Sequence, residues 1–224
     1  MKIKSLTVVA LVMSAVAGFA QGEDPYIEST GVAGINTGYR MKPNSKIEVD
    51  FQLTTTEQVK GNRLFGVDFN HTVLKTAIGF FTSDNSQEAG TLCWTFGYGD
   101  SVTGWHGDGW VKDSKGSYLK LDTLRHVVDY DMPAGKHCFY TDGKAIAWRT
   151  DTPANYTEEA TAPVTIFSAK SSTLVGDERP IKARIFGVKI YEKIEGEYVL
   201  VRDFRPCVST GRYGMRGGGS GSWI

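Results

Sequence analysis

The sequence predicts an all-β fold, and three observations carry that prediction. Residues 46–54 alternate strictly, with Ile47, Val49, Phe51 and Leu53 set against Lys46, Glu48, Asp50 and Gln52. A period of two gives one dry and one wet face, the pattern of a half-buried strand. Short runs of strand-forming residues recur between turn residues along the chain, and no segment sustains a helical period. Many short strands with this punctuation make a sandwich or a barrel.

The elements follow in order. After 46–54, strands are expected at 63–69, 76–81 and 91–98, the last with Leu92, Trp94, Phe96 and Tyr98 on one face. Strands at 124–131 and 136–142 are joined across Met132-Pro133-Ala134-Gly135. Asp142-Gly143 marks a tight hairpin into 144–149, because a type I′ turn takes positive φ at both central positions. Strands at 164–169, 181–192 and 198–204 complete the set. Within 181–192 the apolar parity switches from Ile181, Ala183 and Ile185 to Phe186, Val188 and Ile190. A slip of one residue reverses every side chain, so a bulge is expected near Ile185-Phe186.

The first residues read differently. Lys2 and Lys4 precede an apolar run from Leu6 to Ala17, then Gly18-Phe19-Ala20. That is the charged, apolar and small-residue order of a secretory signal cleaved after Ala20. The run is too short for a membrane span, which takes roughly 20 residues. The expected organisation is a signal peptide over 1–20, one sandwich over 21–208, and a Gly/Ser-rich tail or truncated last strand over 209–224. A secreted, periplasmic or cell-surface location follows from the signal. The chain carries 25 basic and 25 acidic residues. Losing Lys2 and Lys4 with the signal leaves 23 against 25, a net of −2. Such a balance gives nucleic acid or an anionic membrane no electrostatic footing.

Cys93, Cys138 and Cys207 are an odd count for an exported chain. Cys93 and Cys138 form the pair to expect if a bridge exists, and buried free thiols are the favoured alternative. No spacing resembles a zinc site. His71, His106, His126 and His137 have no nucleophile elbow or reactive cysteine beside them, so no nucleophilic catalysis is expected.

The segment from Tyr98 to Trp110 is the expected ligand site. It reads as a glycine-rich loop carrying Tyr98, Asp100, Trp105, His106, Asp108 and Trp110. Sugars present a flat array of C–H groups rimmed by hydroxyls, and an exposed aromatic ring flanked by short carboxylates is complementary to both. Asp100 and Asp108, with Asp68 or Asp113, also offer oxygen ligands of the kind Ca²⁺ takes, although no D-x-D-x-D-G loop is present.

Three separated segments carry a family resemblance: YIESTGVAGINTGYRMKPNSKIEVDFQL, HVVDYDMPAGKHCFYTDGKAI and KARIFGVKIYEKIEGEYVLVRDFRPC. They resemble the concanavalin A-like lectin/glucanase superfamily. More narrowly, they are similar to laminin-G-like jelly-roll domains of exported bacterial proteins. The resemblance implies a two-sheet antiparallel jelly-roll sandwich, in a superfamily whose members include lectins, glycosidases and adhesion modules. After Cys207 the chain departs from that pattern, with Gly217-Gly218-Gly219-Ser220 in place of a compact, aromatic-bearing finish.

Laminarinase-type glycosidases of this superfamily carry an E-x-D-x-E strand whose outer glutamates are nucleophile and acid/base. A retaining mechanism takes two carboxylates about 5–5.5 Å apart. Here Glu48-Val49-Asp50-Phe51-Gln52 ends in an amide, which can neither protonate a leaving group nor attack as a carboxylate. The expected role is therefore an exported, non-catalytic module that binds carbohydrate or a cell-surface partner. The alternatives are a glycoside hydrolase of the same superfamily using other acids, and a purely structural envelope module.

Overall fold

The computed structural model describes residues 24–32, 34–67, 76–100, 104–150, 156–169, 179–209 and 212–217. The expected signal over 1–20 and the glycines and serines after Gly217 lie outside them. The described residues form fifteen strands and no helix. In chain order the first eight are β1 (Ile27–Thr30), β2 (Ile35–Asn36), β3 (Ser45–Leu53), β4 (Arg63–Val67), β5 (Thr76–Asp84), β6 (Leu92–Asp100), β7 (Gly104–Trp110) and β8 (Lys112–Asp113). Then come β9 (Arg125–Asp131), β10 (Lys136–Thr141), β11 (Lys144–Thr150), β12 (Thr165–Ile166), β13 (Lys182–Ile194), β14 (Glu197–Ser209) and β15 (Arg212–Gly217).

These strands make the two antiparallel sheets of a jelly-roll sandwich. The larger runs β15-β14-β13-β3-β9-β10-β11-β8 with β1 added to β13, and the smaller runs β2-β12-β4-β5-β6-β7. On β13, the edge opposite β3 is shared: β1 pairs with its first residues from Lys182 to Ile185, and β14 with Val188 to Ile194. Every strand expected from the sequence is present. Val164–Ala169 shrinks to Thr165–Ile166, and β1, β2, β7, β8 and β15 are additional.

The core lies between the sheets. Ile47, Val49, Phe51 and Leu53 of β3 are buried, as their alternation requires. Phe51 meets Trp94 of the smaller sheet edge-on at 5.4 Å, and Trp94 stacks on Phe80 at 4.7 Å. Phe96 lies 4.2 Å from Tyr130 across the same gap.

Turns behave as their residues dictate. Asp142 and Gly143 both take positive φ, 50° and 72°, and close the β10–β11 hairpin between Thr141 and Lys144. The bulge appears where expected: between Ile185 and Gly187 the register of β13 on β3 shifts by one. Ile185 and Val188 thereby face the core together, and Phe186 is turned to the polar side.

One expectation is corrected. Segment 104–110 is not a loop but strand β7, hairpinned to β6 and ending the smaller sheet. Within 209–224, where a tail or a truncated last strand was expected, β15 pairs with β14 and buries Met215. The thiols are free, and geometry keeps Cys93 from Cys138. Trp94 and Phe139 point into the core beside them, so Cys93 and Cys138 occupy the outer sides of different sheets. Two packed layers, roughly 10 Å apart, separate them.

Candidate functional site

Alternation carries Tyr98 and Asp100 to the same inner face as Trp94 and Phe96. Tyr98 is 7% exposed and Asp100 is fully buried, so neither belongs to an open platform. Their surroundings are the buried hydroxyls of Tyr130 and Tyr156, which lie 3.2 Å apart. Burial, with Tyr130, Asp100 and Tyr98 adding to it, pushes the Tyr156 hydroxyl well above its ordinary pKa. Trp105, His106, Asp108 and Trp110 stand on β7, in register with Gly99 (Trp105), Tyr98 (His106) and Thr95 (Trp110). Their side chains lie outside the described residues, as does Asp68.

The calcium set does not assemble among the described residues. Asp113 is on β8 of the larger sheet, and its Oδ1 accepts from the backbone N–H of Lys115 and Ser117 at 2.8 and 2.9 Å. Strand β7 stands between them: Gly104 pairs with Asp100, whereas Trp110, shortly before Asp113, pairs with Thr95, roughly 17 Å along β6 from Asp100. No cluster of three or more His, Cys, Asp or Glu that could hold a metal occurs among the described residues.

The open site is on the water-facing side of the larger sheet. A groove of about 220 Å³ is lined by Asp24 and Pro25, Glu48 and Asp50 of β3, Arg125 and Val127 of β9, Phe186, Gly187 and Lys189 of β13, and Arg205 and Pro206 of β14. Alternation sets Glu48, Asp50 and Gln52 on the wet face of β3, and pairing with β9 sets Arg125 opposite Gln52. Arg125 then forks onto Asp50, with Nε to Oδ1 at 2.9 Å and Nη2 to Oδ2 at 2.8 Å, while Nη1 reaches Asp24 at 2.5 Å. The hydrogen bonds that Arg125 donates to Asp50, joined by that to Asp24, more than offset burial and hold the guanidinium firmly charged. Its face lies 3.9 Å from the Phe186 ring, which the bulge presents here, and Phe186 in turn meets Tyr26 edge-on at 5.7 Å.

Deeper across the sheet, Lys46 bridges Glu48 and Asp129 at 3.1 Å each. Burial raises the Asp129 pKa, against Lys46 and the hydrogen bonds from Cys138 N–H and the Tyr140 hydroxyl. Glu48 also accepts from the Tyr191 hydroxyl at 3.0 Å, and burial and that carboxylate push Tyr191 up to about 12. Cross-strand pairing arranges Trp148, Cys138, Asp129, Glu48, Lys189 and Asp203 as one row on this side, with Trp148 47% exposed at its end.

Sequence reasoning named Glu48, Asp50 and Gln52 but missed Arg125, Phe186, Lys189 and Trp148. The bulge was readable, but the sequence set Phe186 with Val188 and Ile190 on the apolar face, and the structure turns its ring to the polar side instead. Among the histidines, His126 is 3% exposed and is held by Thr141 at 2.8 Å and Asp122 at 2.7 Å. His137 is buried against Phe96, with ring centroids 4.7 Å apart.

No family model matches the chain, and no curated protein matches it. Among solved structures, the chain is similar to the heptameric SAP-like pentraxin of Limulus polyphemus, at TM-score 0.41 and 8% identity, over 79% of this chain and 73% of that one. It is also similar to the CBM40 of the Ruminococcus gnavus IT-sialidase, at TM-score 0.41 and 10% identity, over 78% and 91%. A third similarity is to the enzymatically active domain of bacteriophage CBA120 tailspike protein 2, at TM-score 0.43 and 9% identity, over 77% of this chain and 24% of that one. Likenesses this distant carry no argument about ligand, and the fold rests on the strand pairing itself.

Proposed function

We propose that the chain is an exported, non-catalytic module that binds a glycan across the water-facing side of its nine-stranded sheet. The observation that carries this reading is the row joining the half-exposed Trp148 to the charged groove around Glu48 and Lys189. A sugar ring offers a flat C–H face and a rim of hydroxyls that both donate and accept. An indole face and a bank of fixed carboxylate, guanidinium and ammonium groups are complementary to those two features. A volume of about 220 Å³ is below the roughly 300–1,000 Å³ of pockets that enclose a drug-sized ligand. It suits one ring of an extended chain. From Lys189 to Trp148 is four strand spacings, roughly 19 Å at about 4.8 Å each, the span of a short oligosaccharide.

Hydrolysis is not part of this reading. Both Asp50 oxygens are taken by Arg125, and Gln52 donates its amide to the Thr123 carbonyl at 2.8 Å. Mixed β-glucans incubated with the protein should release no new reducing ends. A turnover abolished by Glu48→Gln would overturn the non-catalytic assignment.

The binding test is a glycan array with wild type, Arg125→Ala and Trp148→Ala, each checked for native circular dichroism. Binding should weaken in both variants. A wild type that binds no glycan leaves the structural-module alternative in its place. Strand β7 is proposed as a second contact, on the residue types Trp105, His106, Asp108 and Trp110 alone. Signal unchanged in Trp105→Ala removes it. Export is inferred from the order of residues in Met1 to Ala20.

A further inference from the structure

We infer that the sugar seated in this groove is anionic, with its carboxylate or sulfate held by Lys189. The inference rests on the glycan-binding reading above and names the class of ligand.

The groove holds three acids and three bases, and five of these six are spoken for. Asp24 and Asp50 bind Arg125, Glu48 binds Lys46 and Tyr191, and Arg205 binds Asp203 at 2.7 Å. Lys189 is the groove's one charged side chain without an ion pair or hydrogen bond among the described residues. Its isolation is specific, because its cross-strand neighbours are both acids: Glu48 on β3 and Asp203 on β14. Opposed charges on neighbouring strands normally meet. Here each acid is drawn elsewhere, Glu48 to Lys46 and Tyr191, and Asp203 to Arg205. An ammonium left over between satisfied acids in a walled groove is a counter-ion site.

Gly187 makes the room. A Cβ built there would find only the Phe204 carbonyl at 3.7 Å and Arg205 Cδ at 4.0 Å, which is ordinary contact. Any larger side chain at this position would extend over the groove floor beside Lys189. The pyranose ring would rest there, its acidic substituent toward the ammonium and its hydroxyls toward the Asp50–Arg125 fork.

The test is calorimetry on the purified chain with three probes: an oligouronate, its carboxyl-reduced neutral counterpart, and a sulfated oligosaccharide of similar length. Wild type should bind at least one acidic probe about tenfold or more tightly than the neutral one, the size of one charge-assisted contact. That preference should shrink with added salt. Lys189→Met should erase it, weakening the acidic probes far more than the neutral one, and Gly187→Val should abolish binding of every probe. Equal affinity for acidic and neutral probes, or a preference intact in Lys189→Met, overturns the anionic assignment and leaves glycan binding standing. Failure of every probe on wild type overturns both readings together.

Discussion

Glu192 sits where the long β13–β14 hairpin leaves the core. Its Oε1 accepts from the Tyr39 hydroxyl at 2.9 Å and from Lys42 Nζ at 2.8 Å. Burial opposes its charge, but those two hydrogen bonds and the Lys42 ammonium win, and its pKa is lowered. A carboxylate whose pKa is depressed by folding stabilises the protein above its ordinary pKa, and that gain is lost as pH falls through the depressed value. Glu192→Gln should therefore cost about 1 kcal/mol near neutral pH, a modest figure because Lys42 is partly solvated. The gap from wild type should close in acid. Urea midpoints across a pH series measure it, and a gap independent of pH would contradict this account. Asp129 behaves oppositely: burial raises its pKa, so its ionisation costs stability as pH rises, and Lys46 offsets part of that cost. Burial also pushes the Cys93 thiol up to about 11, which leaves it unreactive at neutral pH.

The decisive element is β13. It bears β3 on one edge and both β1 and β14 on the other, and its bulge reconciles two apolar sets of opposite parity. Ile181, Ala183 and Ile185 and, past the bulge, Val188 and Ile190 are all buried. Deleting Phe186 would restore a regular strand and turn one of those sets out to water. The deletion should yield no folded protein, read by loss of the native circular dichroism spectrum. Phe186→Ala should fold and only loosen Arg125. A stable, native-like deletion would show that the bulge is dispensable. This element was legible in advance because a parity switch in a run of apolar residues has few physical solutions. Strand β7 was not legible: its glycines suggested turns, and only pairing with β6 made it an edge strand.

At the scale of the whole molecule, the two sheets hold each other through one aromatic interface. Phe51 touches Trp94, Phe139 and His126 with centroids 5.4, 5.8 and 5.9 Å away. Phe51→Ala should cost about 3–5 kcal/mol through lost transfer energy and the cavity left behind. Because neither sheet can bury its face alone, the midpoint should move equally by far-UV circular dichroism and by tryptophan fluorescence. Separate transitions would mean that the sheets melt independently. The pairings are also distant in sequence, with Ile27 against Ile185 and Ser45 against Glu192. Refolding is accordingly expected on the slow, millisecond-to-second side of the range for single domains.

The sequence by itself determined the all-β class, most strand positions, the Asp142-Gly143 turn and the bulge. Each of these depends on neighbours along the chain, through alternation, positive φ or parity. Tertiary structure alone decided the site. The groove joins Asp24, Asp50, Arg125, Phe186, Lys189 and Arg205, residues up to some 180 positions apart that only sheet order makes adjacent. It also decided which acids pair with which bases, and so left Lys189 without a partner among the described residues. The same physics moved Tyr98 and Asp100 inward: a strand read as ending at residue 98 runs on to Asp100, and its alternation carries both side chains into the core.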